Sequence, residues 1–389
     1  MSVTAPAGFV AAGTAAGIKS GGVPDLSLVA TSDAQPVAAA AVFTQNKMTA
    51  APVVTTHRHL DTTAGRAAAV VLNSGNANAA TGSTGLDHAE QMCAGVAAEL
   101  GCAPEEVLVC STGLIGIPLP MDTIEEAIPA LVAARDGGPD GGVAAAEAIL
   151  TTDTVRKLSV ARGDGFIVGG MAKGSAMLAP NMATMLAVLT TDAEATPAEL
   201  KSALVSAMPT SFNALSVDGA TSTNDTVILL ASGKAGPLAT GVLDAAVAEV
   251  CQDLALQMAG DAEGATKVVK VTVTGAVNDA DAAVGARRVA ESQLVKCSWY
   301  GQDPYWGRIA SELGTAGIGF DPDRISISYG PHQVAGGGVT IEHDQEALTT
   351  YMAQRHLEIT ADLGLGPGTG TILTNDLTHA YIDENMGTS

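Results

Sequence analysis

Lys173-Gly174-Ser175-Ala176-Met177-Leu178-Ala179-Pro180-Asn181-Met182-Ala183-Thr184-Met185-Leu186 is the stretch on which the reading of this 389-residue chain turns. It opens with a single cation among small residues and closes on Ala183-Thr184, followed by the apolar run Met185 to Leu189. A short, bounded apolar run of this kind reads as a buried strand. A threonine at its mouth is ordinary in itself, because β-branched residues suit strands. Its hydroxyl can, however, attack the carbonyl that precedes it, and alanine at 183 leaves that carbonyl accessible. An N-to-O acyl shift would give an ester, and water would then free a new N-terminus at Thr184. The liberated α-amine has a reference pKa of ~8 and can act as base for its own hydroxyl. No histidine is needed, which suits a chain whose seven histidines form no HxxxH, HExxH or GxSxG-linked arrangement.

Outward from this segment, short β-branched runs alternate with alanine-rich helical stretches. Strands are expected at Ala38–Thr44, Pro52–Thr56, Ala68–Leu72, Val107–Cys110, Lys157–Val160, Phe166–Val168, Met185–Leu189, Thr226–Leu230, Val268–Val273 and Ile325–Tyr329. Helices are expected at Gly85–Leu100, Asp122–Ala134, Gly142–Leu150, Pro197–Met208, Val242–Met258 and Asp279–Val295, with Asp122 and Thr196 placed to cap. Mixing along the whole length indicates an α/β or α+β class, with a smaller C-terminal region of the same mixed kind. The weakest seam, Thr274–Asp281, divides the chain into residues 1–275 and 276–389.

Composition narrows the function. Forty-one acidic against 19 basic residues give a formal charge of −22, which opposes attraction to nucleic acid or an anionic membrane. Aromatics are only 3%, so the core must rest on aliphatic and small residues. Trp299, Tyr300, Tyr305 and Trp306 read as packing anchors, since no basic patch accompanies them. Five scattered cysteines without a CxxC pair argue for reduced thiols and against a disulfide framework or zinc site. Met1 to Val10 lacks a basic segment before an apolar one, and the longest uncharged stretches are too interrupted to span a bilayer. A cytoplasmic protein without metal is the expectation. Gly364 to Gly370 does not complete a dinucleotide fingerprint and reads as a turn-rich loop.

The segment Lys173 to Leu186 resembles the self-cleavage segment of the ornithine acetyltransferase (glutamate N-acetyltransferase, ArgJ) family. Four further segments are similar in the same order: Ser111-Thr112-Gly113-Leu114-Ile115-Gly116, Thr151-Thr152-Asp153-Thr154, Gly260 to Lys267, and Asp303-Pro304-Tyr305-Trp306-Gly307-Arg308-Ile309, where Tyr305 replaces a common asparagine. The resemblance implies a DmpA-like layered fold and cleavage between Ala183 and Thr184 into chains 1–183 and 184–389. These would stay associated and assemble into dimers or tetramers of the heterodimer. Thr184 becomes the nucleophile, with Thr112 and Gly113 as the oxyanion hole. Thr151, Lys173, Thr184, Glu263, Asn385 and Ser389 would bind substrate. Lys173 would face a carboxylate or lower the pKa of the α-amine, and Glu263 would face the ornithine ammonium. Only four residues follow Asn385, one fewer than is usual, so Thr388 is the alternative to Ser389.

The implied reaction moves acetyl from N2-acetylornithine to glutamate in cyclic arginine biosynthesis by a ping-pong route. No cofactor is required, and acetyl-CoA can serve as an alternative donor in some family members. Three rivals stand beside it: a DmpA-type aminopeptidase or amidohydrolase passing the acyl group to water, an uncleaved relic that only binds, and a secondary-metabolism paralogue of the same chemistry.

Overall fold

The structure, a computed structural model, describes residues 2–179, 185–239 and 241–387. Two compact units emerge. One contains the chain up to Asn213 together with Ala220–Met258, and the other contains Ala214–Gly219 and the chain from Ala259 onward.

The first unit runs β1 (Phe9–Thr14), β2 (Leu26–Thr31), β3 (Val37–Phe43), α1 (Ala51–Thr62), β4 (Arg66–Ala67), β5 (Ala69–Asn73), α2 (Gly82–Leu100), β6 (Val107–Ser111), α3 (Met121–Ala133), α4 (Pro139–Ala148), β7 (Lys157–Arg162), β8 (Ile167–Lys173), β9 (Leu186–Glu194), α5 (Pro197–Ala207), β10 (Thr226–Pro237) and α6 (Val242–Gly260). Its strands form a four-stranded sheet, β1-β2-β5-β6, and a six-stranded sheet, β4-β3-β10-β9-β8-β7. Alternation along β5 and β6 explains how these stack. Val70, Leu72, Leu108 and Cys110 point into one core with Ala39, Ala41, Met171, Leu186, Val188, Ile228 and Leu230 of the larger sheet. Val71, Val107 and Val109 point the other way, onto Met92, Cys93 and Val96 of α2 and Ile124, Ile128 and Leu131 of α3. Two-sided burial accounts for strands that read as nearly unbroken apolar runs. On the outer face of the larger sheet, Val250 and Leu254 of α6 close on Gly170. The result is a helix–sheet–sheet–helix sandwich, in agreement with the expected α/β layered class.

The second unit runs β11 (Val268–Ala276), α7 (Asp279–Glu291), α8 (Gln293–Tyr300), α9 (Trp306–Gly314), β12 (Ser326–Tyr329), β13 (His332–Gly336), β14 (Val339–Thr340), α10 (Gln345–Met352), β15 (His356–Asp362), β16 (Gly368–Asn375) and α11 (His379–Glu384). One sheet, β14-β13-β12-β15-β11-β16, carries it. Val269, Val271 and Val273 pack with Trp299, Ile309, Leu313, Leu348 and Met352 from the helices. The excursion 214–219 joins this unit through the Ser216 amide, which donates to the Leu373 carbonyl at 2.9 Å.

Three expectations are corrected. The division does not fall at 275/276. Strand β11 pairs with β15 on one side and β16 on the other, so the chain enters the second unit at Ala259. Pro52–Thr56 is not a strand but part of α1, whose buried Pro52, Thr55, Thr56 and His59 recur at helical spacing. Thr56 then docks the helix on β6, donating to the Val109 carbonyl at 2.6 Å and accepting from the Val109 amide at 2.9 Å. Asp279–Val295 is two helices, because Ser292 takes an extended conformation and caps α8 by accepting from the Val295 amide. Among the described residues no helix is long and apolar enough to cross a membrane, and no cluster of His, Cys, Asp or Glu could hold a metal ion. The five cysteines are free thiols.

Candidate active site

Ala183 and Thr184, the expected cleavage pair, lie outside the described residues, as do Thr388 and Ser389. The backbone on either side is held by one polar segment, residues 220–226. Before the junction, the Ala179 amide donates to the Ala220 carbonyl at 3.0 Å, and the Thr221 hydroxyl donates to the Ala179 carbonyl at 3.1 Å. After it, the Met185 amide donates to Asp225 Oδ1 at 2.7 Å, and the Thr226 amide donates to the Met185 carbonyl at 3.1 Å. Strand register does the rest. Leu186 pairs with Lys173 on β8 and with Thr226 on β10, so three adjacent strands bring Lys173, Leu186 and Thr226 abreast.

Lys173 is buried, and its ammonium lies 3.7 Å from Asp153 Oδ2. Asp153 is the hub of this corner. Its other oxygen accepts from Lys157 Nζ at 2.5 Å and from the Gly174 amide at 2.7 Å. Thr151 donates its amide to Oδ2 at 3.2 Å, with its hydroxyl at 3.4 Å from the same oxygen. Burial opposes the charge on Asp153, but the ammonium of Lys173, then that of Lys157, and the Gly174 amide outweigh it and bring the carboxyl down to about 2. Lys19 approaches the same corner, donating to the Leu150 carbonyl at 3.0 Å. Its ammonium is lowered chiefly by burial, with Asp25 and Asp153 pulling upward and Lys173 adding like-charge repulsion. Three ammonium groups thus surround one buried carboxylate in a chain of net charge −22. Such a corner favours a carboxylate-bearing ligand.

Thr112 and Gly113 follow β6 directly. The Thr112 amide donates to the Asn73 carbonyl at 2.9 Å, and the Leu114 amide to Gly75 at 3.3 Å. Gly113 has φ +130°, and a Cβ there would lie 2.2 Å from the Gly75 carbonyl carbon, so only glycine fits. The half-buried Thr112 hydroxyl has no partner among the described residues and is available to a ligand. Asn224 braces this segment, its Nδ2 donating to the Ser111 carbonyl at 2.9 Å and the Ala77 carbonyl at 2.6 Å.

Glu263 and Asn385 belong to the second unit, where they meet: Asn385 Nδ2 donates to Glu263 Oε2 at 2.8 Å. Gly264 makes this possible. It adopts φ +62°, and a Cβ there would stand 2.4 Å from the Tyr381 amide, so the loop presses onto the base of α11. The Tyr381 hydroxyl donates to Asp218 Oδ2 at 3.3 Å. Burial, then the charges of Asp218 and Glu263, push the Tyr381 phenol upward and keep it a donor. Buried Glu263 has Asn385 as its polar partner, and an acid so placed suits a cation.

Within the first unit, then, Thr112, Gly113, Thr151 and Lys173 are all built into one braced site, and within the second Glu263 is joined to Asn385. Sequence reasoning missed Lys19, Lys157, Asn224 and Asp225 and left Asp153 as a mere member of its motif. A usable signal existed for the last pair: the polar run Thr221-Ser222-Thr223-Asn224-Asp225 stands against a buried apolar strand. The surface depression bounded by Phe43, His57, Leu60, Asp61 and Lys201 contains none of these groups.

An anchored strand mouth beside a cationic corner and a donor-bearing glycine turn is the layout of an acyl-transfer enzyme. Comparison with known proteins agrees. The sequence profile of the ArgJ family matches residues 10–387. A Mycobacterium tuberculosis protein named arginine biosynthesis bifunctional protein ArgJ is 49% identical, over 100% of this chain and 96% of its own. The protein of that name from Thermobifida fusca is 45% identical, over 100% of both. A crystal structure of the Bacillus halodurans protein argJ matches with 37% identity and a TM-score of 0.49, over 50% of this chain and 95% of that one. This chain belongs to the ArgJ family.

Proposed function

We propose that the protein is a self-processed glutamate N-acetyltransferase of arginine biosynthesis, with Thr184 as its nucleophile. The observation that carries this reading is the pairing of Lys173 with Leu186, which sets a buried cation beside the strand that Thr184 precedes. In processing, the Thr184 hydroxyl bonds to the Ala183 carbonyl carbon and the 183–184 C–N bond breaks. The hydroxyl proton passes to the departing amine, and water hydrolyses the ester, restoring the hydroxyl and leaving a carboxylate on Ala183. In turnover, the hydroxyl attacks the acetyl carbonyl of N2-acetylornithine, with the α-amine as base. Thr112 and Gly113 donate to the developing oxyanion. The acetyl C–N bond breaks, the proton leaves on the ornithine amine, and an acetyl ester remains on Thr184. The glutamate amine then attacks the acetyl carbonyl, the ester C–O bond to Thr184 breaks, and the amine's proton returns to the threonine oxygen as N-acetylglutamate leaves. The cationic corner receives the α-carboxylate common to both amino acids. Glu263, which accepts from Asn385, is the candidate partner of the ornithine ammonium, and Asn385 with Ser389 or Thr388 are candidate substrate residues by their resemblance to the family. No cofactor enters this scheme, and acetyl-CoA is a second candidate donor. Chains 1–183 and 184–389 form the working unit, which assembles further into dimers or tetramers in the cytoplasm.

Purified protein incubated with glutamate and N2-acetylornithine is expected to yield N-acetylglutamate and ornithine in equal amounts. A parallel incubation with acetyl-CoA tests the second donor. Acetate released from acetylornithine independently of glutamate would instead favour the DmpA-type hydrolase. Thr184→Ala is expected to run as one full-length, inactive chain on a denaturing gel. Two bands from that variant, or an active wild-type protein with its 183–184 junction intact by mass spectrometry, would overturn the assignment.

A further inference from the structure

Asp225 is buried at 2% exposure, directly before β10. Its Oδ1 accepts the Met185 amide at 2.7 Å, and that amide belongs to the peptide unit that follows Thr184. Its Oδ2 is fully enclosed and finds no hydrogen-bond partner among the described residues. An anion in such a place would be left half-satisfied, a costly arrangement. The neighbouring residue, Asn224, holds the other half of the site: its side-chain amide donates to the Ser111 carbonyl, immediately before Thr112, and to the Ala77 carbonyl. Two consecutive side chains therefore reach in two directions, one to the strand behind the nucleophile and the other to the turn bearing the oxyanion donors.

We propose that Asp225 is a positioning residue that fixes the Met185 amide at the start of β9, and that with Asn224 it ties this strand start to the Thr112–Gly113 turn. Burial pushes the Asp225 carboxyl well above the usual carboxylate range, against the pull of the Met185 amide, the Ser222 side chain and the Lys173 charge. What it supplies is position rather than charge, and an asparagine of the same shape can supply it too. The inference rests on self-scission ahead of Thr184.

The test uses the full-length chain as wild type, Thr184→Ala, Asp225→Asn and Asp225→Ala. Precursor conversion is followed on denaturing gels, kcat and KM are measured for N2-acetylornithine, and folding is checked by circular dichroism. Asp225→Ala is expected to fold yet to slow scission, and to lower kcat in the processed fraction, by about tenfold or more with KM little changed. Asp225→Asn is expected to stay within about threefold of wild type in both. A folded Asp225→Ala chain that is cut and turns over like wild type overturns the proposal. If the alanine variant does not fold, Asp225→Asn decides alone: cutting within about threefold of wild type upholds the proposal, and a slower folded chain shows that the charge is needed and overturns it. A wild-type chain that never divides overturns the scission reading itself, and this inference with it.

Discussion

Gly113 leaves no room for a side chain. Its positive φ and the 2.2 Å approach of a Cβ to the Gly75 carbonyl carbon mean that Gly113→Ala must displace the turn. Losing one aligned oxyanion donor typically costs a factor of about a hundred or more, and on the role proposed for Gly113 the kcat of this variant is expected to fall that far in a steady-state assay. Asp153 makes a different kind of contribution. Its carboxyl sits at about 2 in the folded chain, against ~3.9 for a free aspartate. A depressed folded value means stability that is complete above pH ~4 and is lost as pH falls toward 2, roughly 2 kcal/mol in all. Asp153→Asn is accordingly expected to unfold at lower urea than wild type at pH 7, with the gap closing near pH 2. Motifs single out Thr112, Gly113, Thr151, Lys173, Glu263 and Asn385 as candidate site residues in the sequence alone. Lys19 and Asp225 are not legible there, because each is brought in by a distant segment and matches no spacing rule.

At the scale of elements, legibility followed the strength of the local pattern. The caps illustrate it. Thr196 was expected to start a helix, and it does so with a full capping box, accepting from the Glu199 amide while Glu199 reaches back to the Thr196 amide. Thr196→Ala is expected to lower stability by about 1 kcal/mol, read as a shift in denaturant midpoint with an unchanged slope. Helix α1 was misread because its valines and threonines have strand chemistry, while the spacing of Pro52, Thr55, Thr56 and His59 is helical. Tertiary docking on β6 settles the contest in favour of spacing. Strand β16 passed as a loop because Gly368 and Gly370 look like turn residues. In fact Gly370 lets α7 approach, since a Cβ there would lie 2.4 Å from the Ala283 amide.

Across the whole molecule, both tryptophans, Trp299 and Trp306, fall in the second unit. Tryptophan fluorescence therefore reports that unit alone, while far-ultraviolet circular dichroism reports both. If the units unfold together, the two urea transitions coincide; if they do not, fluorescence registers only one of them. Trp299 is fully buried in its core, and Trp299→Ala is expected to cost about 3–5 kcal/mol and to move the urea transition of the second unit to lower denaturant, read by dichroism and by the remaining Trp306. The division between units was placed too late in the sequence because a seam was sought after β11. Only the pairing of β11 with β15 and β16 reveals that this strand lies at the heart of the second sheet.

The six-stranded sheet alternates in origin across the proposed cut: β9 and β10 come from after it, and they lie between β3 on one flank and β8 on the other, which come from before it. Neither fragment of the proposed scission could complete that sheet by itself, so the proposal requires backbone pairing before hydrolysis. Scission then changes the molecularity of folding. The intact Thr184→Ala chain should regain structure after denaturant removal at a rate independent of dilution. The mature pair, once dispersed, must find each other by encounter, and its recovery should slow in proportion as protein concentration is reduced.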